Sequence, residues 1–257
     1  MEVVILCGGY GTRLGKETQL KPKPMVDIGG KPILWHIMKI FEKHGIQDFH
    51  LALGYKANII KDYFLKYNSL NNDFSVNLKS EKIEFNEGIE ENWIINLTDT
   101  GLNTMTGGRL LRLKESLKNE ETFMLTYGDG VSNIDLTKLL QFHKSHGKIA
   151  TVTAVRPPVR FGELIINNNN NKVEEFAEKP QAGKGWINGG FFVFNKEIFN
   201  YIEDDSIMLE REPLEKLSKT GELMAYKHHD FWQCMDTIRE KEILEKLWSS
   251  NNAIWLK

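Results

Sequence analysis

Residues 8–14 read Gly8-Gly9-Tyr10-Gly11-Thr12-Arg13-Leu14, a glycine-rich stretch with one cation that follows directly on the apolar run Val3 to Leu6. Glycines let backbone N–H groups come close to an anion, and an arginine beside them adds charge. The stretch is not a dinucleotide fingerprint, because Leu14 stands where the last glycine belongs. It is not a P-loop either, since no Gly-Lys-Ser/Thr closes it. Shortly after it, Lys21-Pro22-Lys23-Pro24-Met25 sets two lysines among prolines, which hold the backbone extended and project ammonium groups that suit a polyphosphate. Locally, both stretches also read as a structural turn and a solvated charged loop.

Two carboxylates stand at the ends of apolar stretches. Asp129 lies between glycines in Tyr127-Gly128-Asp129-Gly130 after a strand-like run, a position from which an acidic side chain holds a hard divalent cation or caps the next turn. Asp236, in Cys234-Met235-Asp236-Thr237, is open to the same two readings, metal ligand or helix N-cap. Glu178-Lys179-Pro180 and Trp186-Ile187-Asn188-Gly189-Gly190 offer an acid, a lysine and an amide for sugar hydroxyls and a phosphate, or else are surface loops. His228-His229-Asp230 has metal-ligand residue types, but adjacent side chains on a strand diverge, and the cluster is discounted.

The elements that must position these groups alternate. Strand patterns at Val3–Leu6, Phe49–Leu53, Thr122–Thr126, Ala150–Val155 and Gly190–Phe194 are interleaved with helical periodicity over Ile33–Phe41, Asn58–Tyr67, Gly108–Leu117, Leu136–His146, Glu210–Lys219 and Thr237–Trp248. Residues 68–100 break the pattern with three short strands, Phe74–Leu78, Lys82–Phe85 and Trp93–Leu97, read as an inserted hairpin region. Two further strands flank the run Asn167 to Asn171, which marks a hairpin tip. The predicted fold class is α/β, a Rossmann-like, mostly parallel mixed sheet flanked by helices with small β insertions, in a single domain over residues 1–257. A net charge of −2 excludes a general nucleic-acid binder. No apolar run is long enough to span a membrane, and the start lacks the features of a secretory signal. Cys7 and Cys234 lie far apart with no CxxC spacing, which fits a reducing compartment, so a cytoplasmic location is expected.

Taken in order, the glycine loop, the Lys-Pro-Lys-Pro stretch, Gly128-Asp129-Gly130, Glu178-Lys179-Pro180 and Asn188-Gly189-Gly190 resemble the sugar-1-phosphate nucleotidyltransferases over the whole chain. Gly30 to Met38, Asp99-Thr100-Gly101, Asn103 to Arg109 and Trp186 to Phe192 resemble the cytidylyl branch of that family. The resemblance implies reaction of CTP with α-D-glucose 1-phosphate to give CDP-glucose and pyrophosphate, feeding CDP-linked deoxysugars such as those of O-antigen. It implies a triphosphate site from Leu6, Gly8, Gly9, Gly11, Thr12, Arg13 and Lys23, with Thr104, Arg109 and Gly128 on the nucleotide side. Asp129 and Asp236 would hold Mg²⁺, Lys179 would grip the sugar phosphate, and Gly162, Glu178 and Asn188 would line the sugar. Arg13, Lys23 and Asp129 would carry the catalysis. The resemblance further implies a homo-oligomer, as large as a hexamer. The same chemistry with UTP or dTTP, a glycosyltransferase that consumes a nucleotide sugar, and a non-catalytic nucleotide-sugar sensor remain alternatives. A sensor would be expected to lack Arg13, Lys23 or Asp129, and all three are present. Cys7 replaces the usual alanine of the family and Cys234 a proline frequent in the branch; both are expected to serve packing.

Overall fold

Val3, Ile5 and Cys7 point into one apolar cluster and Val4 and Leu6 into another, so the first strand is buried on both faces. In the computed structural model, which describes residues 1–86, 88–156, 163–166, 172–177 and 185–257, this strand lies within a seven-stranded sheet. Its strands are β1 (Glu2–Cys7), β2 (Asp48–Leu53), β3 (Ile94–Asp99), β4 (Thr122–Tyr127), β5 (Ala150–Val155), β6 (Ile187–Asn195) and β7 (Leu223–Lys227), in the order β7-β5-β6-β4-β1-β2-β3. All neighbours run parallel except β6, which is antiparallel to both β4 and β5. The expected mixed, mostly parallel sheet is therefore observed. Among the described residues, no helix is long and apolar enough to cross a membrane.

Helices cover both faces. Ile33–Glu42 buries seven of its ten residues and, with Ala57–Leu65, Leu136–His146 and Ile238–Ser249, packs on the face of Val3 and Ile5. Thr106–Leu111, the turns that follow it and Glu212–Lys219 cover the other face through Leu110, Leu113, Leu117, Leu214 and Leu217. Leu136–His146 has the bounds read from its periodicity; Asp135 caps its start by accepting from the Lys138 N–H, and Gly147 ends it in the left-handed region. The helix expected over Gly108–Leu117 instead starts at Thr106 and gives way to turns after Leu111.

One expectation is corrected. The strand pattern near Trp93 to Leu97 is not part of an insertion: it forms β3, the parallel edge strand beside β2. Its half-exposed alternation hides its membership of a buried sheet, since an edge strand has only one neighbour to cover it. Only Phe74–Asn77 and Lys82–Phe85 pair as a separate hairpin. The strands on either side of the asparagine run, Glu163–Ile166 and Val173–Ala177, pair antiparallel; Asn167 to Asn171 themselves lie outside the described residues.

At the base of the molecule His36 is buried among Trp35, Trp248 and Trp255. Its Nε2 donates to the Ile28 carbonyl at 2.9 Å, and the Trp255 indole N–H donates to Nδ1 at 3.3 Å, an arrangement only the neutral ring satisfies. Burial lowers its pKa from 6.5 to about 4. Between those values the unfolded chain binds a proton that the folded one refuses. The stabilisation is thus complete above pH 6.5 and lost as the pH falls toward about 4. Burial shifts His143 and His228 in the same direction. Circular-dichroism melts are expected to show stability falling across this window, by on the order of 3 kcal/mol from His36 alone. His36→Gln is expected to be less stable at neutral pH and to lose less on acidification; an identical acid slope in both chains contradicts the assignment.

Candidate active site

β1 lies between β2, which follows it in the chain, and β4, which the chain reaches only after β3 at the edge, so the strand order reverses at β1 and a crevice opens beyond the carboxyl ends of β1 and β4. There β1 runs into the glycine loop, and β4 into Gly128 and Asp129. The backbone closes the junction through the Gly128 N–H, which donates to the Leu6 carbonyl at 3.1 Å. Asp236 arrives from far along the chain because Gly130–Ser132 pairs antiparallel with Trp232–Cys234, and the Met235 N–H donates to the Asp129 carbonyl at 2.8 Å. Two carboxylates remote in sequence are thereby fixed side by side.

Lys23 fills the space between them. Its Nζ bonds Asp129 Oδ2 at 2.5 Å and also Asp236 Oδ1, while Arg13 Nη1 reaches Asp236 Oδ2 at 2.9 Å. The Lys23 side chain is only 11% exposed and Arg13 is 73% exposed, so Lys23 is the fixed cation of the pair and Arg13 the accessible one. Burial alone would favour the neutral amine, but the two carboxylates outweigh it and hold the Lys23 ammonium above the ordinary lysine value. Lys21 does not join the site as the sequence expectation had it; it pairs with Asp27 instead. Asp236 is not the helix cap. Thr237 is, in a capping box with Glu240, and this leaves both Asp236 oxygens to the cations.

Two cavities share this centre. The larger, about 460 Å³, is lined by Leu6, Gly8, Gly9, Gly11, Lys23, Gly128 and the segment Leu102 to Thr106, which includes Thr104. The smaller, about 280 Å³, is lined by Asn188, Gly189, Trp232, Cys234 and Asp236. Arg13, Asp129 and Tyr127 line both. Thr12 is exposed on the loop and lies outside both cavities. Tyr127 and Trp232 carry no motif and were not among the sequence candidates. Trp232 donates its indole N–H to the Gly189 carbonyl at 2.7 Å and so anchors the floor of the smaller cavity. Gly162, Glu178 and Lys179 lie outside the described residues.

Arg109 borders the larger cavity but spends its donors on the protein. Nη1 donates to the Leu53 carbonyl (2.9 Å), Thr100 Oγ1 (2.8 Å) and the Gly101 carbonyl (2.7 Å), and Nη2 donates to the Gly8 carbonyl at 3.1 Å. One buried guanidinium thus ties the loops after β1, β2 and β3 together; without it the Leu53 and Gly8 carbonyls would keep the Thr100 and Tyr55 N–H groups, and the Gly101 carbonyl would lose this donor. It also explains Gly8, where a Cβ would sit 2.1 Å from Arg109 Cζ. Gly9, by contrast, has open space around its Cβ position, and this fits backbone exposed to a ligand. Cys7 is buried and burial pushes its thiol up; burial likewise raises Cys234, to about 12, so neither is a thiolate at neutral pH.

Among the described residues no cluster of three or more His, Cys, Asp or Glu could hold a metal by itself. The two hard carboxylates converging on one ammonium nonetheless fit Mg²⁺, which binds through one or two carboxylates with substrate phosphates completing its shell. His228 does not share a ligand set with His229: its Nε2 lies 3.2 Å from Ser132 Oγ and 3.1 Å from the Phe231 carbonyl, whereas His229 meets Trp186 edge-on.

A glucose-1-phosphate cytidylyltransferase of Salmonella typhimurium is 49% identical over 255 residues, which cover 99% of this chain and 98% of that one. The crystal structure of HddC from Yersinia pseudotuberculosis superposes with a TM-score of 0.71 at 26% identity, covering 96% of this chain and 99% of that one. A UDP-glucose pyrophosphorylase complexed with UDP-glucose has the same fold, with a TM-score of 0.68 at 16% identity over 97% of this chain and 98% of its own. The family model for nucleotidyl transferases matches residues 2–238. With this match across nearly the whole chain and a crevice that sets two cavities on one ionic centre, the protein belongs to the nucleotidyl transferase family.

Proposed function

We propose that this chain transfers the cytidylyl group of CTP to the phosphate of α-D-glucose 1-phosphate, forming CDP-glucose and releasing pyrophosphate. The observation that carries this reading is the meeting of two cavities at Arg13 and Asp129, which lets a nucleotide and a sugar phosphate face each other across one charged centre. The similarity to a cytidylyltransferase over nearly the full length supports the choice of base and sugar.

A sugar-phosphate oxygen attacks the α-phosphorus; the new P–O bond forms as the bond to the bridging oxygen breaks, and the electron pair leaves with pyrophosphate. The attacking phosphate is already ionised, so no general base and no covalent nucleophile are required. The obstacle is the approach of two anions. Without ligands, the charges of Lys23, Arg13, Asp129 and Asp236 cancel. A triphosphate engages Arg13 and Lys23 through its oxygens, and the glycine loop donates backbone N–H groups to it. Asp129 and Asp236 would hold Mg²⁺, which would supply charge neutralisation and alignment at the phosphates. Thr104 serves the nucleotide side directly and Arg109 by holding the loops that wall it, Asn188 with Gly162 and Glu178 serve the sugar, and Lys179 the sugar phosphate. Self-association, as a homo-oligomer, belongs to the same proposal; the exposed apolar residues Phe74, Val76, Ile83 and Phe85 of the free hairpin support it.

Asp129→Asn and Asp236→Asn are each expected to slow Mg²⁺-dependent pyrophosphate release on the order of a hundredfold. Because Thr237 supplies the cap, far-UV circular dichroism of Asp236→Asn should be unchanged. Undiminished turnover in either variant contradicts the assignment. For the base, cytosine offers a donor at C4 and an acceptor at N3 where uracil offers the reverse. Two mismatched bonds at about 1 to 3 kcal/mol each give discrimination from roughly thirtyfold upward. Specificity constants with glucose 1-phosphate should therefore rank CTP above UTP and dTTP. Equal values for CTP and UTP, or a preference for dTTP, would remove the cytidylyl assignment.

A further inference from the structure

Glu210 lines neither cavity, yet it ties together the walls of both. Its Oε1 accepts the Tyr127 hydroxyl at 2.6 Å and its Oε2 accepts the Thr106 hydroxyl at 2.6 Å. Thr106 borders the larger cavity, and Tyr127 is part of both. Thr106 is itself fixed by the Leu209 N–H, which donates to its Oγ1 at 2.9 Å. On the other side of Tyr127, Asn188 Nδ2 donates to the phenol oxygen at 3.2 Å, and Asn188 Oδ1 accepts the Gly190 N–H at 2.8 Å.

The donors in this chain have a single consistent order. A carboxylate only accepts, so Tyr127 must give its one proton to Glu210, and it can then only accept from Asn188. The Asn188 amide is held in that orientation twice over, because turning it would set its nitrogen against the Gly190 N–H. The Tyr127 ring also lies against Gly190, where a Cβ would meet Tyr127 Cδ2 at 2.6 Å, so the tyrosine has little room to shift. We infer that Glu210 is a positioning residue for the sugar-1-phosphate substrate: acting through Tyr127, it fixes which face of the Asn188 amide the sugar meets. The inference rests on the proposed function, with the sugar phosphate in the smaller cavity.

Glu210→Gln tests it with almost no change of shape. A glutamine presents one acceptor and one donor where the network needs two acceptors, so either Thr106 or Tyr127 must redirect its proton. When Tyr127 does so, it opposes the Asn188 nitrogen. Steady-state kinetics of pyrophosphate release are expected to show KM for glucose 1-phosphate raised roughly tenfold, with KM for CTP and kcat within about twofold of wild type. Tyr127→Phe should raise the same KM, and adding Glu210→Gln to it should raise that KM no further, because the two act through one chain. A Glu210→Gln enzyme with unchanged KM for glucose 1-phosphate, equal rises for both substrates, or additive effects in the double variant would overturn the inference. Absence of pyrophosphate release by the wild-type chain from CTP and glucose 1-phosphate would instead overturn the functional reading beneath it.

Discussion

A lysine ammonium held between two carboxylates at the mouth of a mostly parallel sheet is the interaction on which the rest of this site depends. Burial alone disfavours the Lys23 ammonium; Asp129 and Asp236 outweigh it and raise the pKa above the ordinary lysine value. A buried pair of this kind is expensive to desolvate and contributes little net stability. Its value is electrostatic readiness. With Arg13 the four charges cancel before any ligand binds, and in the proposed reaction an incoming polyphosphate would redistribute them by engaging the cations and releasing the carboxylates.

That centre demands accurate placement from loops, the least constrained parts of an α/β fold, and the structure answers with specific ties. The short pairing of Gly130–Ser132 with Trp232–Cys234 sets the two aspartates together, and the capping box at Thr237 holds the chain just beyond Asp236. Arg109 binds the loops after three neighbouring strands into one unit. The larger cavity is thus bounded by rigid backbone, and the exposed Arg13 is left as the adaptable member.

Periodicity alone made much of the fold legible: the largely buried β1, β4 and β5 and the amphipathic Leu136–His146 come directly from apolar spacing. The edge strand β3 was misread because its exposed residues mimic an inserted hairpin. In the site, Arg13 and Asp129 were readable as charges set beside glycines after strand-like runs, and Lys23 as a cation set among prolines. Local sequence could not separate Asp236 from a cap, because the distinction depends on Thr237 one residue later and on Lys23 across the fold. Nor could it tell Lys21 from Lys23, since burial decides which lysine faces the aspartates. The link between Tyr127 and Glu210 left no trace in spacing, because it joins a strand end to a loop that only the folded sheet brings near. Gly8 looked like an anion-binding glycine, and its immediate reason is the Arg109 side chain.

The central claim is that Lys23 and a divalent cation share the same two carboxylates. The most direct measurement is a Mn²⁺ titration followed by electron paramagnetic resonance, without nucleotide, on the wild-type chain and on Lys23→Met, with circular dichroism as a check on folding. Removal of the competing ammonium is predicted to tighten Mn²⁺ binding by roughly tenfold or more, and Asp236→Asn in the same background is predicted to abolish the gain. Equal affinity in the wild-type and Lys23→Met chains, or a gain that survives Asp236→Asn, would contradict the claim that these side chains form one site.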